Sequence, residues 1–460
     1  MQSTASAPRD APAPASPRRR RLIVALVLLT IALSAAVRFA DLAAYPQCVA
    51  DENYYARDAS WLLHNGFGTS GVEPWMPGLA QSFAHPELGV EAIAAGIIVF
   101  GDNAWGWRAP SAIAGTLVIA LVYPLGRRLR LPPAWALAAT MLAAGDMLLI
   151  LQSRLAMLDI FVALGSAACV YLALRAAQAQ PSRFALWVAL CGLAGGAATA
   201  CKWSGCLSVV AAILVLTLGC RRPSGRRVAS AAAGIVALTV AVYVVTYAPY
   251  FVAGHSLGQW LRLQRFMVSY NWKARETPAQ SSLAMTWPFD IHPIWYHWGR
   301  LGSGLSRGLL AVGNPLLWWA SIVAFVVLGV QAVTRRDPRL AAAPLLVAVL
   351  YLPWLATSRP AFLYYMTPVV PFMAILVASA LWRLATPPPG DRRPAATAYA
   401  GGSLLASRGG GPRRPALMSA LAWAYVGATL GVTLAFLPFV LGYPVTADYY
   451  RYLMWLPTWW

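Results

Sequence analysis

The chain has 460 residues, 59% of them hydrophobic and 11% charged, with 36 Lys and Arg against 16 Asp and Glu. Together with 20 Trp and a mean hydropathy of +0.57, this composition fits a multi-span helical membrane protein and excludes the soluble and disordered classes. The formal charge of +20 comes from short Arg clusters set between apolar runs. That arrangement points to cytoplasmic loops beside anionic lipid and excludes a nucleic-acid partner.

Residues 1–21 are rich in Ala, Pro, Ser and Arg and read as a disordered cytoplasmic tail. Arg18–Arg21 then hold the N-terminus inside, and Leu22–Phe39 is an uncleaved first span. A crossing helix needs about 20 apolar residues. Further windows of that kind lie at 109–127, 133–151, 157–176, 184–200, 203–219, 228–251, 309–332, 341–356, 361–382 and 416–441. Val90–Phe100 is short and is expected to be interfacial or re-entrant. The expected architecture is therefore an all-α polytopic bundle of about eleven transmembrane helices in one membrane domain over 22–460, N-terminus inside and C-terminus outside. It puts Arg127/Arg128/Arg130, Arg175/Arg183, Arg221/Arg222/Arg226/Arg227, Arg335/Arg336/Arg339 and Arg392/Arg393/Arg413/Arg414 on the inner face.

Five segments then face outward: a first loop 41–108, the turn Ser153–Asp159, the turn 200–203, a second large loop 253–308, and the turn Thr357–Phe362. Segment 384–415 reads as a flexible inner linker. The six Cys (48, 169, 191, 201, 206 and 220) show no zinc or disulfide spacing. No Walker loop, nucleotide fold or hydrolase elbow is present.

Charges on the outer face are scarce, so each is a candidate for chemistry. Asp51-Glu52 follows the first span directly. A carboxylate there can accept a hydroxyl proton during group transfer, or it can cap a helix over 53–63. His85-Pro86-Glu87-Leu88-Gly89 forms a turn in the same loop, with His85 either a ligand contact or a structural hydrogen-bonding group. Ser153-Arg154 and Leu158-Asp159 open the fourth span. If one helix carried both, Arg154 and Asp159 would be offset by about 140°. Arg154 then either binds phosphate, holds the Asp51/Glu52 pair, or anchors the helix end. Lys202 and Arg359 lie outside against the positive-inside trend, which points to an anionic ligand. Arg359 precedes the aromatic run Phe362, Tyr364 and Tyr365, while the second loop holds Tyr270, Asn271, Trp272, Lys273, Arg275, Glu276, Trp287, Tyr296 and His297. Such aromatics serve either sugar binding or an interfacial belt.

These pieces, in this order, resemble the short bacterial branch of the protein O-mannosyltransferases, within the GT-C superfamily of membrane glycosyltransferases. The resemblance rests on Asp51-Glu52, His85-Pro86 with Leu88-Gly89, Ser153-Arg154 with Leu158-Asp159, and Ala200-Cys201-Lys202-Trp203. It continues with Pro353-Trp354, Ser358-Arg359-Pro360 and the closing Met454–Trp459. It implies a GT-C fold over 22–460 and inverting transfer of mannose from a polyprenyl phosphate to Ser or Thr of exported proteins, at the outer face of the cell membrane. Asp51 would be the catalytic base, Glu52 would help position the acceptor or donor, and Arg154 would support that acidic pair or the phosphate. His85, Asp159, Lys202, Arg359 and Tyr364 would meet the substrates. The donor is a lipid-linked sugar; a divalent-metal requirement cannot be read from the residues, and the export machinery is a candidate partner. Glu87 and Val90 depart from the family's His-Pro-Pro-x-Gly-Lys loop. A GT-C transferase acting on a glycan or lipid is therefore the alternative. A transporter or flippase fits less well, because charges inside the spans are scarce.

Overall fold

Apolar windows become helices wherever capping residues and prolines bracket them. The computed structural model describes residues 16–65, 84–219, 225–273, 280–386 and 413–459. In chain order the helices begin with α1 (Pro17–Phe39), α2 (Glu52–Asn65), α3 (Leu88–Phe100), α4 (Ala104–Arg128), α5 (Pro133–Ala144) and α6 (Met147–Arg154). They continue with α7 (Leu158–Ala177), α8 (Pro181–Cys201), α9 (Cys206–Gly219), α10 (Gly225–Val245), α11 (Ala248–Val252) and α12 (Leu257–Lys273). After strands β1 (Ile294–Arg300) and β2 (Leu305–Ala311) come α13 (Pro315–Thr334), α14 (Pro338–Tyr351), α15 (Val370–Ala385) and α16 (Arg413–Leu441). Strand β3 (Val445–Thr446) and α17 (Ala447–Leu453) precede the closing turn.

Among the described residues, seven helices are long and apolar enough to cross a membrane, and α5 with α6 makes an eighth, bent by 58°. The three remaining expected windows hold shorter apolar helices at Trp203–Gly219, Leu340–Ala356 and Val370–Ala385. The chain is a multi-pass helical membrane protein. The expected tail over 1–15, part of the first loop (66–83), residues 220–224 with Arg221 and Arg222, residues 274–279 with Arg275 and Glu276, and the linker over 387–412 lie outside the described residues.

Two features differ from the expectation. The window 133–151 is broken, because Asp146 caps α6 by accepting from Leu149 N–H at 2.9 Å. The same carboxylate accepts from Asn314 N–H at 3.1 Å and Trp318 Nε1 at 2.7 Å. Asn314 in turn donates to the Thr429 carbonyl at 2.9 Å and to Thr433 Oγ1 at 3.0 Å. A buried acid therefore does sit within the spans, with both of its oxygens held by protein donors. Second, the expected span 309–332 begins only at Pro315, where Asn314 is the N-cap. The residues before it form β2, antiparallel to β1 from Ile294↔Ala311 to Arg300↔Ser306, and β3 adds to the other edge of β2. The bundle thus carries a three-stranded sheet.

The short α3 turns back at Gly101 and lies along α4. A Cβ on Gly96 would stand 2.2 Å from the Gly106 carbonyl oxygen, so only glycine permits this approach. Helix α7 packs on α4, α8 and α9. It delivers Asp159 at one end while α8 delivers Lys202 just past its own end at the same level.

Candidate active site

The site grows from a tight turn after the first span. Ala50 adopts φ +50°, a left-handed conformation that costs an L-residue about 1–2 kcal/mol. Glu52 holds the turn: its carboxylate accepts from Val49 N–H at 3.0 Å and from Ala156 N–H at 2.8 Å. Arg108 of α4 grips both oxygens, Nε to Oε1 at 2.7 Å and Nη2 to Oε2 at 2.7 Å. It also donates to the carbonyls of Leu42 at 2.6 Å, Tyr45 at 2.7 Å and Gln47 at 3.0 Å. Every N–H of this guanidinium is therefore used, and both side chains are buried. With Glu52 anchored to Arg108, its neighbour Asp51, in the turn before α2, faces a different way.

Asp51 enters a cavity of about 440 Å³ that His85, Lys202, Asn271, Tyr296, Arg359 and Tyr364 also line. Tyr364 Oη donates to Asp51 Oδ2 at 3.0 Å. Burial raises the Asp51 carboxyl above the ordinary aspartate range, Lys202 and the Tyr364 hydrogen bond oppose that, and Asp159 adds to it. His85 is pushed well below the usual imidazole range by burial and by the charges of Lys202 and Arg359, so it is neutral at pH 7.

The two cations differ in how free their charge is. Lys202 Nζ binds both oxygens of Asp159 at 3.0 Å, which neutralises it, and it lies 4.3 Å from the Tyr365 ring centroid. Arg359 has only neutral partners among the described residues: it donates to Asn271 Oδ1 and to Tyr365 Oη at 2.6 Å. Asn271 Nδ2 donates to the Ala84 carbonyl at 3.0 Å, tying α12 to the segment that carries His85. Among the described residues lining the cavity, Arg359 is thus the cation without a carboxylate partner.

Among the expected site residues, the fold brings Asp51, His85, Lys202, Arg359 and Tyr364 to one cavity, and Asp159 joins them through Lys202. Glu52 is directed away from it. Arg154 does not hold the acidic pair; its Nη1 donates to the carbonyls of Val37 at 2.7 Å and Ala40 at 2.5 Å, closing the end of α1. Nor does it share a helix with Asp159, because α6 ends at Arg154, Leu155 is extended, and α7 starts at Leu158. The arginine on Glu52 is Arg108. Its signal was an Arg at the outer edge of an apolar window, the same signal that marked Lys202. Tyr296, left open between sugar contact and interfacial belt, lines the cavity and accepts from Gln152 Nε2 at 2.6 Å. Among the described residues no group of three or more His, Cys, Asp or Glu is placed to hold a metal ion.

Glu87 gives the first testable consequence. Its carboxylate is buried without a hydrogen-bond partner among the described residues, and burial, then Glu91 and Asp58, raise its pKa to about 8. The fold therefore prefers the protonated form. This preference costs nothing below the unfolded carboxyl's pKa of about 4.3, and stability falls as pH rises from there to about 8. Glu87→Gln is expected to flatten this slope and raise the unfolding temperature at pH 9 relative to wild type. Thermal unfolding at pH 5 and pH 9 checks it, and parallel slopes for the two proteins would refute it.

The model of the family described as "Dolichyl-phosphate-mannose-protein mannosyltransferase" matches residues 28–254. The polyprenol-phosphate-mannose–protein mannosyltransferase of Mycolicibacterium smegmatis is 27% identical over 95% of this chain and 92% of its own. Among solved structures, the Saccharomyces cerevisiae protein O-mannosyltransferase Pmt1-Pmt2 complex bound to the sugar donor superposes with a TM-score of 0.75 at 13% identity, covering 95% of this chain and 92% of that one. ArnT from Cupriavidus metallidurans bound to undecaprenyl phosphate gives 0.54 at 18% identity, covering 93% and 75%. These two likenesses establish the GT-C fold. With that fold, a matching family model over 28–254 and a relative matched along nearly the whole chain, the chain is similar to the protein O-mannosyltransferases.

Proposed function

We propose that the protein transfers mannose from a polyprenyl-phosphate mannose to Ser or Thr hydroxyls of exported proteins, at the extracytoplasmic face of the cell membrane. The observation that carries this reading is that one cavity is lined both by Asp51, a candidate base, and by Arg359, which has no carboxylate partner among the described residues and is a candidate anion site. Asp51 takes the acceptor's hydroxyl proton as the oxygen attacks the anomeric carbon. The bond from that carbon to the phosphate oxygen breaks on the opposite side, inverting the anomeric centre, and the phosphate leaves with its charge against Arg359. The Lys202–Asp159 pair holds Lys202 beside Tyr364 and Tyr365 and keeps the field at Asp51 from becoming too negative to ionise it. Tyr364 fixes the carboxylate's direction. The outward orientation follows from the arginine-rich loops at the opposite end, and eleven crossings with the N-terminus inside satisfy all of them.

Arg359→Gln is expected to raise the donor KM about tenfold to a hundredfold, the range of one lost charge-assisted contact, while the protein stays folded. Donor titration at saturating acceptor reads it directly; an unchanged KM would remove Arg359 from the phosphate site.

A second reading places the sugar on a lipid or glycan, favoured by Glu87 and Val90 where the family's loop has Pro and Lys. Membranes containing the protein, given radiolabelled polyprenyl-phosphate mannose and a Ser/Thr-rich peptide, separate the two. Label on the peptide supports the first reading; label confined to the lipid or glycan fraction supports the second.

A further inference from the structure

A second charged cavity lies at the opposite end of the bundle. It measures about 370 Å³ and is lined by Arg128, Arg175, Gln178, Gln180, Arg183 and Trp187 with Ala179. The helices α4, α7 and α8 run from the active-site end to this one over 20 to 25 residues, which is about 30 Å or more at 1.5 Å per residue. The two cavities are thus separate sites.

The second cavity is built for an anion. Arg128 Nη1 donates to Gln178 Oε1 at 3.0 Å, and Gln178 Nε2 returns a bond to the Arg128 carbonyl at 3.1 Å. Arg175 lies 3.9 Å from the Trp187 ring centroid and donates to Tyr171 Oη at 3.0 Å. These bonds fix both guanidiniums without neutralising them. Arg183 is exposed at the rim. No Asp or Glu occurs at 103–145 or 160–275, so none of the three helices carries a local counter-charge beside the cavity. The α8 start adds its dipole: Pro181 is at its first turn and no side chain caps it.

We infer that this cavity binds the phosphate head group of an anionic membrane lipid from the inner leaflet. A lipid is favoured over a soluble anion by the setting. The cavity sits at the ends of apolar helices, Trp187 is an interfacial aromatic, and the neighbouring Leu186 is 54% exposed and offers a seat to an acyl chain. The inference does not depend on the sugar-transfer reading.

Purified full-length protein in nanodiscs tests it, with phosphatidylglycerol titrated into phosphatidylcholine and bound lipid counted by mass spectrometry after mild detergent release. Wild type is expected to retain phosphatidylglycerol over phosphatidylcholine, and Arg128→Gln/Arg175→Gln/Arg183→Gln to lose that preference about tenfold or more, since each basic residue near an anionic surface contributes measurably. A control with equal charge loss, Arg335→Gln/Arg336→Gln/Arg339→Gln, is expected to keep it. If the triple variant folds poorly, Arg183→Gln alone, at an exposed rim position, is expected to reduce the preference about threefold. Equal loss in the control, retention in the cavity variants, or no preference of wild type for phosphatidylglycerol over phosphatidylcholine would each overturn the assignment.

Discussion

Arg108→Met is expected to destabilise the protein by about 3–5 kcal/mol, the usual consequence of removing one partner from a buried ion pair. The substitution leaves the Glu52 carboxylate buried against Val49 and Ala156 N–H groups only. It also orphans the carbonyls of Leu42, Tyr45 and Gln47, which Arg108 alone gathers at the end of the first span. The left-handed turn at Ala50 then lacks its support, so transfer activity should fall through loss of the turn rather than loss of a reacting group. Adding Glu52→Gln in the same chain removes the stranded charge and should restore part of the lost stability. Unfolding temperatures in detergent for wild type, single and double variants read this. A single variant that unfolds within a degree of wild type would show that the pair does not hold the turn.

That pairing marks where sequence reading reached its edge. The eleven apolar windows were legible because crossing a bilayer demands long uncharged runs, and each window contains an apolar helix or broken pair in the fold. Asp51, Lys202 and Arg359 were legible as charges at the ends of apolar windows, apart from the arginine clusters, and the fold brings all three to one cavity. The Glu52–Arg108 pair was not, because its partners are 56 residues apart and no helical or strand period links them. Asp51 and Glu52 look equivalent in sequence; only the turn at Ala50 decides which faces the cavity. The break at Asp146 was hidden too, since an N-cap and a mid-span acid are the same letter until Asn314 and Trp318 arrive from a distant helix. The sheet formed where Leu305–Ala311 has apolar content suited either to a strand or to the start of a helix, and the Asn314-Pro315 start signal settles it.

Asp51→Asn is the change with the largest expected effect on chemistry. The asparagine side chain keeps the size and the contact with Tyr364, so the cavity, the Lys202–Asp159 pair and Arg359 should stay in place. It cannot accept a proton, and positioned acid–base groups contribute about 10²–10⁴-fold. In wild type, the raised carboxyl of Asp51 means activity should decline on acidification at a higher pH than an ordinary aspartate would require. The most direct measurement is single-turnover transfer: wild type and Asp51→Asn are each loaded with radiolabelled polyprenyl-phosphate mannose, freed of unbound donor, and mixed with a Thr-rich peptide. The expected result is equal donor loading in both, rapid movement of label to the peptide in wild type, and label remaining on the lipid in Asp51→Asn. Transfer by the loaded variant at the wild-type rate would contradict the assignment of Asp51 as the base and, with it, the reading of this cavity as the place where the sugar moves.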